Sequence, residues 1–303
     1  MINMKKFEKN TINLWGEKGK SWLNQLPEII TRLSKHWDLD AIKPVDNMSY
    51  NYVAKAAQKA SKPVVLKISC DGQLIEDEYH ALKHFNGQGS IKVFDIQNDL
   101  HALLLEQAIP GTLLKEHYSE NIAGTIKIYT DVVKALASQA RPSGQYTSVK
   151  KWCEAIDSLH DSRIKPDYIF KAKMLRDFLL SSAEKEYLCH GDLHLENIIC
   201  HENKWLSIDP KGVVGEIAFE AAAFDLIDKR EWLDPESIQD KILHRTHLIA
   251  SQLNINHDRL LAWIYLRAMI SAQWFIEDNG NPDKVLKLVS VLYSLLINQY
   301  QPI

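Results

Sequence analysis

The hydrophobic period changes once along the chain, near residue 106, and that change restricts the folds open to it. Before it, apolar residues fall in short runs: "YVAKAAQ" (52–58), "PVVLKIS" (63–69), and the two runs of "IKVFDIQNDLHALLLEQAIPG" (91–111), which turn at Asn98-Asp99 and stop at Pro110-Gly111. Runs of this length, bounded by turn residues, predict antiparallel strands. Two helical patterns are interleaved with them. One covers 18–36, with Trp22, Leu26, Ile29, Ile30 and Leu33 at helical spacing and a kink expected at Pro27; the other covers 73–85, after Asp71-Gly72. From residue 112 onward the spacing predicts helices over 121–140, 148–160, 168–184, 235–252, 257–277 and 282–299. The expectation is an α+β chain of two lobes: a small antiparallel-sheet lobe with an N-terminal helix (1–106), a hinge (107–111) and a larger helical lobe (112–303). Two such bodies define a cleft, where small-molecule sites tend to form.

Composition removes several classes. The 36 basic and 39 acidic residues give a formal net charge of -3, so no positive field calls for a nucleic-acid partner. Cys70, Cys153, Cys189 and Cys200 are scattered with no CxxC pair, which fits reduced thiols in a cytoplasm. The start, "MINMKKFEKNTINLWGEKGK", has no apolar h-region, and no window approaches the run of about 18 apolar residues that a span needs. A cytoplasmic protein with no membrane partner is expected.

One stretch of the helical half concentrates chemistry. "LCHGDLHLENII" (188–199) sets His190, Asp192, His194 and Asn197 between apolar runs. The following "NIICHENKWLSIDP" predicts a hairpin, Asn197–His201 out and Trp205–Asp209 back, whose equal arms put Asn197 and Asp209 opposite each other at its open end. An amide oxygen and a carboxylate there, near Asp192, are the hard oxygen donors that Mg²⁺ accepts when phosphate supplies the rest of its shell. The alternation of His190, Asp192 and His194 also invites zinc, but no paired Cys or second His-x₃₋₅-His is placed to close a tetrahedron.

His190-Gly191-Asp192, then Asn197, then Asp209 after a hairpin resembles the catalytic loop and metal-binding aspartate of the protein-kinase-like fold. With "ALKHFNGQGSIKVFD", "ALLLEQAIPGTLL", "IDPKGVVGE" and "RLLAWIYLRAMISAQW" added, the chain from about 40 to 290 is similar to the aminoglycoside phosphotransferases, in their streptomycin 6-kinase and hydroxyurea phosphotransferase branch. The resemblance implies an ATP- and Mg²⁺-dependent transferase, of an antibiotic-resistance type, that moves a γ-phosphate to a small-molecule hydroxyl.

It implies roles by position. Asp192 matches the catalytic base, Asn197 and Asp209 the metal ligands, and His190 a residue that chiefly holds the loop. Lys67, in "VVLKIS", matches the lysine on the α- and β-phosphates, although a lone strand lysine is most often a solvated edge charge. Its orienting glutamate is Glu78, with Glu76 in reserve because helix phase is uncertain by a residue or two. Backbone groups of Glu106, Gln107 and Ala108 match the hinge that meets the purine edge. The nucleotide-covering loop falls in "PVDNMSYNYV", where Ser49 and Asn51 are the candidate contacts; it departs from the family pattern in having no glycine over 46–51. Pro210 and Lys211 follow Asp209 where protein kinases place Phe and Gly, which argues for a permanently set site.

The acceptor is read from the helical half. Residues 216–240 carry eight carboxylates against Lys229 and Arg230, a region able to receive a polycationic aminocyclitol, and equally one of acidic helix turns and solvated faces. Glu216 and Glu220 follow the metal strand and are the nearer candidates. Trp263, Arg267 and Trp274 share a helical face and are candidate pocket walls, although such a stripe is more often core. Three readings stay open: an aminoglycoside kinase, a kinase of an endogenous amino alcohol or sugar, and a nucleotide-binding pseudokinase acting by interaction.

Overall fold

A 34-residue helix opens the chain and its first strands follow directly. The computed structural model describes residues 4–118, 121–138, 142, 144 and 146–296. In chain order the elements are α1 (Met4–Trp37), β1 (Leu39–Pro44), β2 (Tyr52–Gln58), β3 (Lys62–Ile68), α2 (Gly72–Phe85), β4 (Val93–Gln97), β5 (Ala102–Glu106) and β6 (Pro110–Leu113). Then come α3 (Ile122–Ala137), β7 (Thr147–Ser148), α4 (Val149–Cys153), α5 (Pro166–Ser181), β8 (Tyr187–Cys189), β9 (Ile198–His201), β10 (Lys204–Ser207) and β11 (Val213–Gly215). The last helices are α6 (Ile217–Ala221), α7 (Ile238–Leu253), α8 (His257–Glu277) and α9 (Asp283–Leu296). The ends of the expected helices 121–140 and 282–299 lie outside the described residues at 139–140 and 297–299.

The chain divides into two compact units, Met1–Gly111 with Cys200–Lys211, and Thr112–Ile199 with Gly212–Ile303. The first unit is built on a five-stranded sheet in the order β1-β2-β3-β5-β4. Strand alternation gives each face its own partner. Val64, Leu66 and Ile68 of β3 join Ala102 and Leu104 of β5 in a cluster with Phe7, Trp22, Leu26, Leu33 and Trp37 of α1. Val65, Leu103 and Leu105 point the other way, onto Ile75 and Leu82 of α2. Lys67 shares the phase of Val65 and therefore faces α2. A sheet covered on both faces has strands that read as near-continuous apolar runs, as "VVLKI" and "ALLL" do.

The kink expected at Pro27 is not where α1 breaks. The non-helical residue is Gly16 (φ 54°, ψ -131°), while Pro27 lies inside the helix. A positive φ costs glycine little, whereas Pro27 is accommodated with its carbonyl still accepting from Thr31 Oγ1 at 2.9 Å.

The segment 200–211 is tied to the first unit by backbone bonds. Ile91 donates to Ser207 O at 3.0 Å, Ser207 donates to Gly89 O at 2.8 Å, and Glu202 donates to Ile109 O at 2.6 Å. Leu206 and Ile208 add their side chains to the α2 cluster. Asp209 is thereby brought to the sheet that carries Lys67.

In the second unit α8 is buried around most of its circumference, as expected of a central helix, with α5, α6, α7 and α9 against it. A small sheet, β7-β11-β8, pairs Val213 with Cys189 antiparallel and with Thr147 in parallel, and it ends where His190 begins. No helix among the described residues is long and apolar enough to cross a membrane.

Candidate active site

In the first unit, Lys67 Nζ lies 2.6 Å from Glu78 Oε2 and 2.7 Å from Asp209 Oδ1. The lysine is 1 % exposed and Glu78 5 %, whereas Asp209's side chain is 43 % exposed. Burial acts to lower the lysine pKa, but Asp209 and Glu78 outweigh it and hold the ammonium above the ordinary lysine value. Burial raises the Glu78 carboxyl, with Lys67 opposing. Glu78 Oε1 has no hydrogen-bond partner. Of the two glutamates considered for this pair, Glu76 is exposed, so helix phase selects Glu78.

Residues 45–51 form the loop between β1 and β2. None of its residues has a positive φ, so its glycine-free sequence carries no backbone strain. Asn10 Nδ2 donates to Ser49 O at 3.1 Å, and the loop's own Met48, buried, takes the Val53 N–H on its sulfur at 3.3 Å. Ser49 is exposed, and Asn51 Oδ1 is buried without a partner. After β5, the Glu106 N–H is given to Lys92 O at 2.9 Å. Its carboxylate accepts from Lys92 N at 3.1 Å. Gln107 is half-buried and Ala108 buried. The segment beyond is pinned by His201, whose Nδ1 accepts from Ile109 N at 3.1 Å; its distance in sequence hid that role.

In the second unit the loop after β8 is closed by its own side chains. Gly191 has φ 86°, a left-handed conformation that favours glycine. His190, fully buried, accepts the Asp192 N–H on Nδ1 at 3.2 Å. Asn197 ends a 3₁₀ turn (Leu195–Asn197) and its Nδ2 donates to Asp192 O at 2.8 Å. That contact uses the donor end of the amide and leaves its oxygen as the acceptor end. Asp225 accepts from Leu195 N at 3.0 Å, and the Asp192 side chain, 43 % exposed, has His194 Nε2 4.0 Å from its Oδ2. No group of three His, Cys, Asp or Glu among the described residues is arranged to hold a metal. Asn197 and Asp209 each offer a hard oxygen of the kind a phosphate-bound cation takes, and the hairpin pairing expected of them is carried by strands that begin after Asn197 and end before Asp209.

Four acceptor candidates of the second unit are engaged by other groups of the protein. Glu216, 8 % exposed, receives Arg259 Nε at 2.8 Å and the indole N–H of Trp263, itself 1 % exposed. Both are therefore core residues, because the buried carboxylate needs these donors and the indole N–H needs an acceptor. Glu220, 3 % exposed, accepts from Gly191 N at 3.3 Å, and burial pushes its carboxyl up to about 7. Arg267 Nη2 donates to Gly191 O at 2.8 Å, with its guanidinium 4.6 Å over the Phe219 ring. Only Trp274, 39 % exposed and edge-on to Trp152 at 5.1 Å, presents an open aromatic surface. The acidic window is largely paired within its unit: Asp225 and Asp228 each lie 3.7 Å from Lys115, and Glu231 lies 2.5 Å from Arg245.

The family model described as "Aminoglycoside/hydroxyurea antibiotic resistance kinase" matches residues 36–279. The streptomycin 6-kinase of Streptomyces glaucescens is 23 % identical over 280 residues, covering 88 % of each chain. The streptomycin 3''-kinase of Klebsiella pneumoniae is 27 % identical over 231 residues, 73 % of this chain and 83 % of that one. Among solved structures, aminoglycoside phosphotransferase APH(4)-Ia superposes with a TM-score of 0.65 at 15 % identity, covering 91 % of this chain and 100 % of that one. The α+β fold is thus the protein-kinase-like one of these enzymes, and the chain belongs to the aminoglycoside/hydroxyurea antibiotic resistance kinase family of small-molecule phosphotransferases.

Proposed function

We propose that the protein transfers the γ-phosphate of ATP to a hydroxyl of a small molecule, with an aminoglycoside of the streptomycin type as acceptor. The observation that carries this reading is the buried Lys67 between Glu78 and Asp209. A lysine fixed in a dry interior by two carboxylates, one of them partly exposed, is a preset cation for polyphosphate. It has no structural need for two acidic partners.

Asp192 accepts the acceptor's proton and aims its oxygen at phosphorus. Asn197 and Asp209 are the ligands of a Mg²⁺, which neutralises charge on the transferring phosphates when bound. Ser49, Asn51, Glu106 O, Gln107 and Ala108 border the nucleotide, and the orphaned Asn51 oxygen is an acceptor awaiting a donor. Trp274 is an acceptor contact. The streptomycin kinases among the relatives support the acceptor class.

A second reading, with an endogenous amino alcohol or sugar as acceptor, is favoured by one feature. Four of the eight carboxylates of 216–240 are engaged by Arg259, Lys115 and Arg245, which leaves fewer for a polycation. Steady-state transfer from ATP with Mg²⁺ separates the readings, using a panel of streptomycin, other aminoglycosides, amino alcohols and sugars. Asp192→Asn is expected to lower kcat by about 10²–10⁴-fold with the nucleotide still bound. Nucleotide binding without transfer to any acceptor would leave the pseudokinase reading instead.

A further inference from the structure

The Gly191 residue is held from both sides, by the buried carboxylate of Glu220 and the half-buried guanidinium of Arg267, neither of which the transfer chemistry itself uses. Its N–H donates to Glu220 Oε2 at 3.3 Å and its carbonyl accepts from Arg267 Nη2 at 2.8 Å. That carbonyl belongs to the same planar peptide as the Asp192 N–H, which is fixed in turn on His190 Nδ1 at 3.2 Å. With its oxygen and its hydrogen both engaged, the plane that leads into Asp192 cannot rotate without breaking a bond. The need for this is local. Gly191, at φ 86°, offers no side chain to lock the turn, and glycine is the most permissive residue at that position.

Arg267 is an unusual choice for a helix-interior contact. Among the described residues it makes no ion pair within 4.0 Å, and its Nη1 is buried with no hydrogen-bond partner. A guanidinium whose Nη1 is buried without an acceptor, stacked on Phe219 and directed at one carbonyl, is costly to retain as plain filler. Its position on α8, the most buried helix of the unit, gives the donor a rigid mount.

We propose that Arg267 is a positioning residue for Asp192. It fixes the Gly191–Asp192 peptide plane and so sets the direction in which the Asp192 carboxylate leaves the backbone. The inference rests on Asp192 being the catalytic base.

The test is kinetic. Arg267→Met keeps a long unbranched side chain and removes the donor, so kcat is expected to fall about 10²-fold, while KM for ATP and for acceptor change less than about threefold. Arg267→Lys is expected to recover part of the loss, and millimolar methylguanidinium to restore part of the kcat of Arg267→Ala. Thermal denaturation of each variant gives the folded fraction; if Arg267→Ala fails to fold, the Lys and Met variants carry the test. A folded Arg267→Met with kcat within about twofold of the parent overturns the proposal, as does a kcat loss matched by loss of folded protein. Asp192→Asn run alongside separates the two levels: if it is inactive while Arg267→Met is not, only the positioning role falls. If Asp192→Asn keeps the parent kcat, the base assignment falls and this inference with it.

Discussion

Lys67 and Glu78 meet at 2.6 Å in the interior of the first unit, the lysine on the central strand and the glutamate two turns into the helix that covers it. Neither charge has water to return to, so each is tolerated because the other is there.

Lys67→Met is therefore expected to cost stability as well as activity, by about 3–5 kcal/mol if Glu78 stayed charged. The raised pKa of Glu78 limits this, because the carboxyl protonates rather than remain as an isolated buried anion. Urea denaturation should show Lys67→Met with Glu78→Gln to be more stable than Lys67→Met alone, although equally inactive.

Stability is expected to fall as pH rises through the range from about 4.5 to 7. Glu220 has a folded pKa of about 7 against an ordinary glutamate value of 4.5, so the folded state binds more protons across that window. Its contribution is fully present below the unfolded value and is lost as pH passes the folded one, by up to about 3 kcal/mol. Glu78 acts in the same direction. Denaturation midpoints of Glu220→Gln, measured from pH 4.5 to 8, should show a flatter profile than the parent.

Glu231 imposes the opposite slope at lower pH. Burial works to raise its pKa, but the Arg245 hydrogen bond and those of Asp228 and Tyr118 bring it down to about 2. That stabilisation is present above the unfolded carboxyl value and disappears as pH falls toward 2. Arg245→Met should lose its extra acid sensitivity together with a large part of its stability, read by thermal melts from pH 2.5 to 5.

Arg259→Met tests whether Glu216 belongs to the core. It leaves the Glu216 carboxylate with Trp263 alone in a buried site, at a cost of about 3–5 kcal/mol. The fraction that folds should keep the parent KM for acceptor. A raised acceptor KM at unchanged stability would return Glu216 to the acceptor surface.

Trp274→Ala should behave in the reverse manner. At 39 % exposure its loss is expected to shift Tm by only a few degrees, and acceptor KM to rise about tenfold if the Trp152–Trp274 pair supplies a face of the acceptor site.

Local signals in the sequence were read closely. The strands at 52–58 and 63–69, the helix at 73–85 and the helix at 257–277 lie at or within a residue of their observed limits, because alternation and helical spacing are properties of neighbouring residues. The expected kink at Pro27 failed for a related reason. Proline marks a break by its missing N–H, whereas the actual break followed from a positive φ at Gly16, a conformation that spacing does not reveal. The loop at 45–51 departs from the family pattern in having no glycine, yet it avoids left-handed backbone and rests on Asn10, which lies 39 residues from Ser49 in the chain.

By itself the sequence determined the two hydrophobic regimes, the strands at 52–58 and 63–69, the helices at 73–85 and 257–277, and the spacing of Asp192, Asn197 and Asp209 that marks the family. Tertiary structure decided which carboxylates are buried against which cations: Glu78 and not Glu76 on Lys67, Glu216 on Arg259, Arg267 on a carbonyl 76 residues away. Periodicity says which face of an element is apolar, but a charged side chain on that face is core or site according to the partner that long-range folding brings to it, and a desolvated charge persists only where that partner arrives.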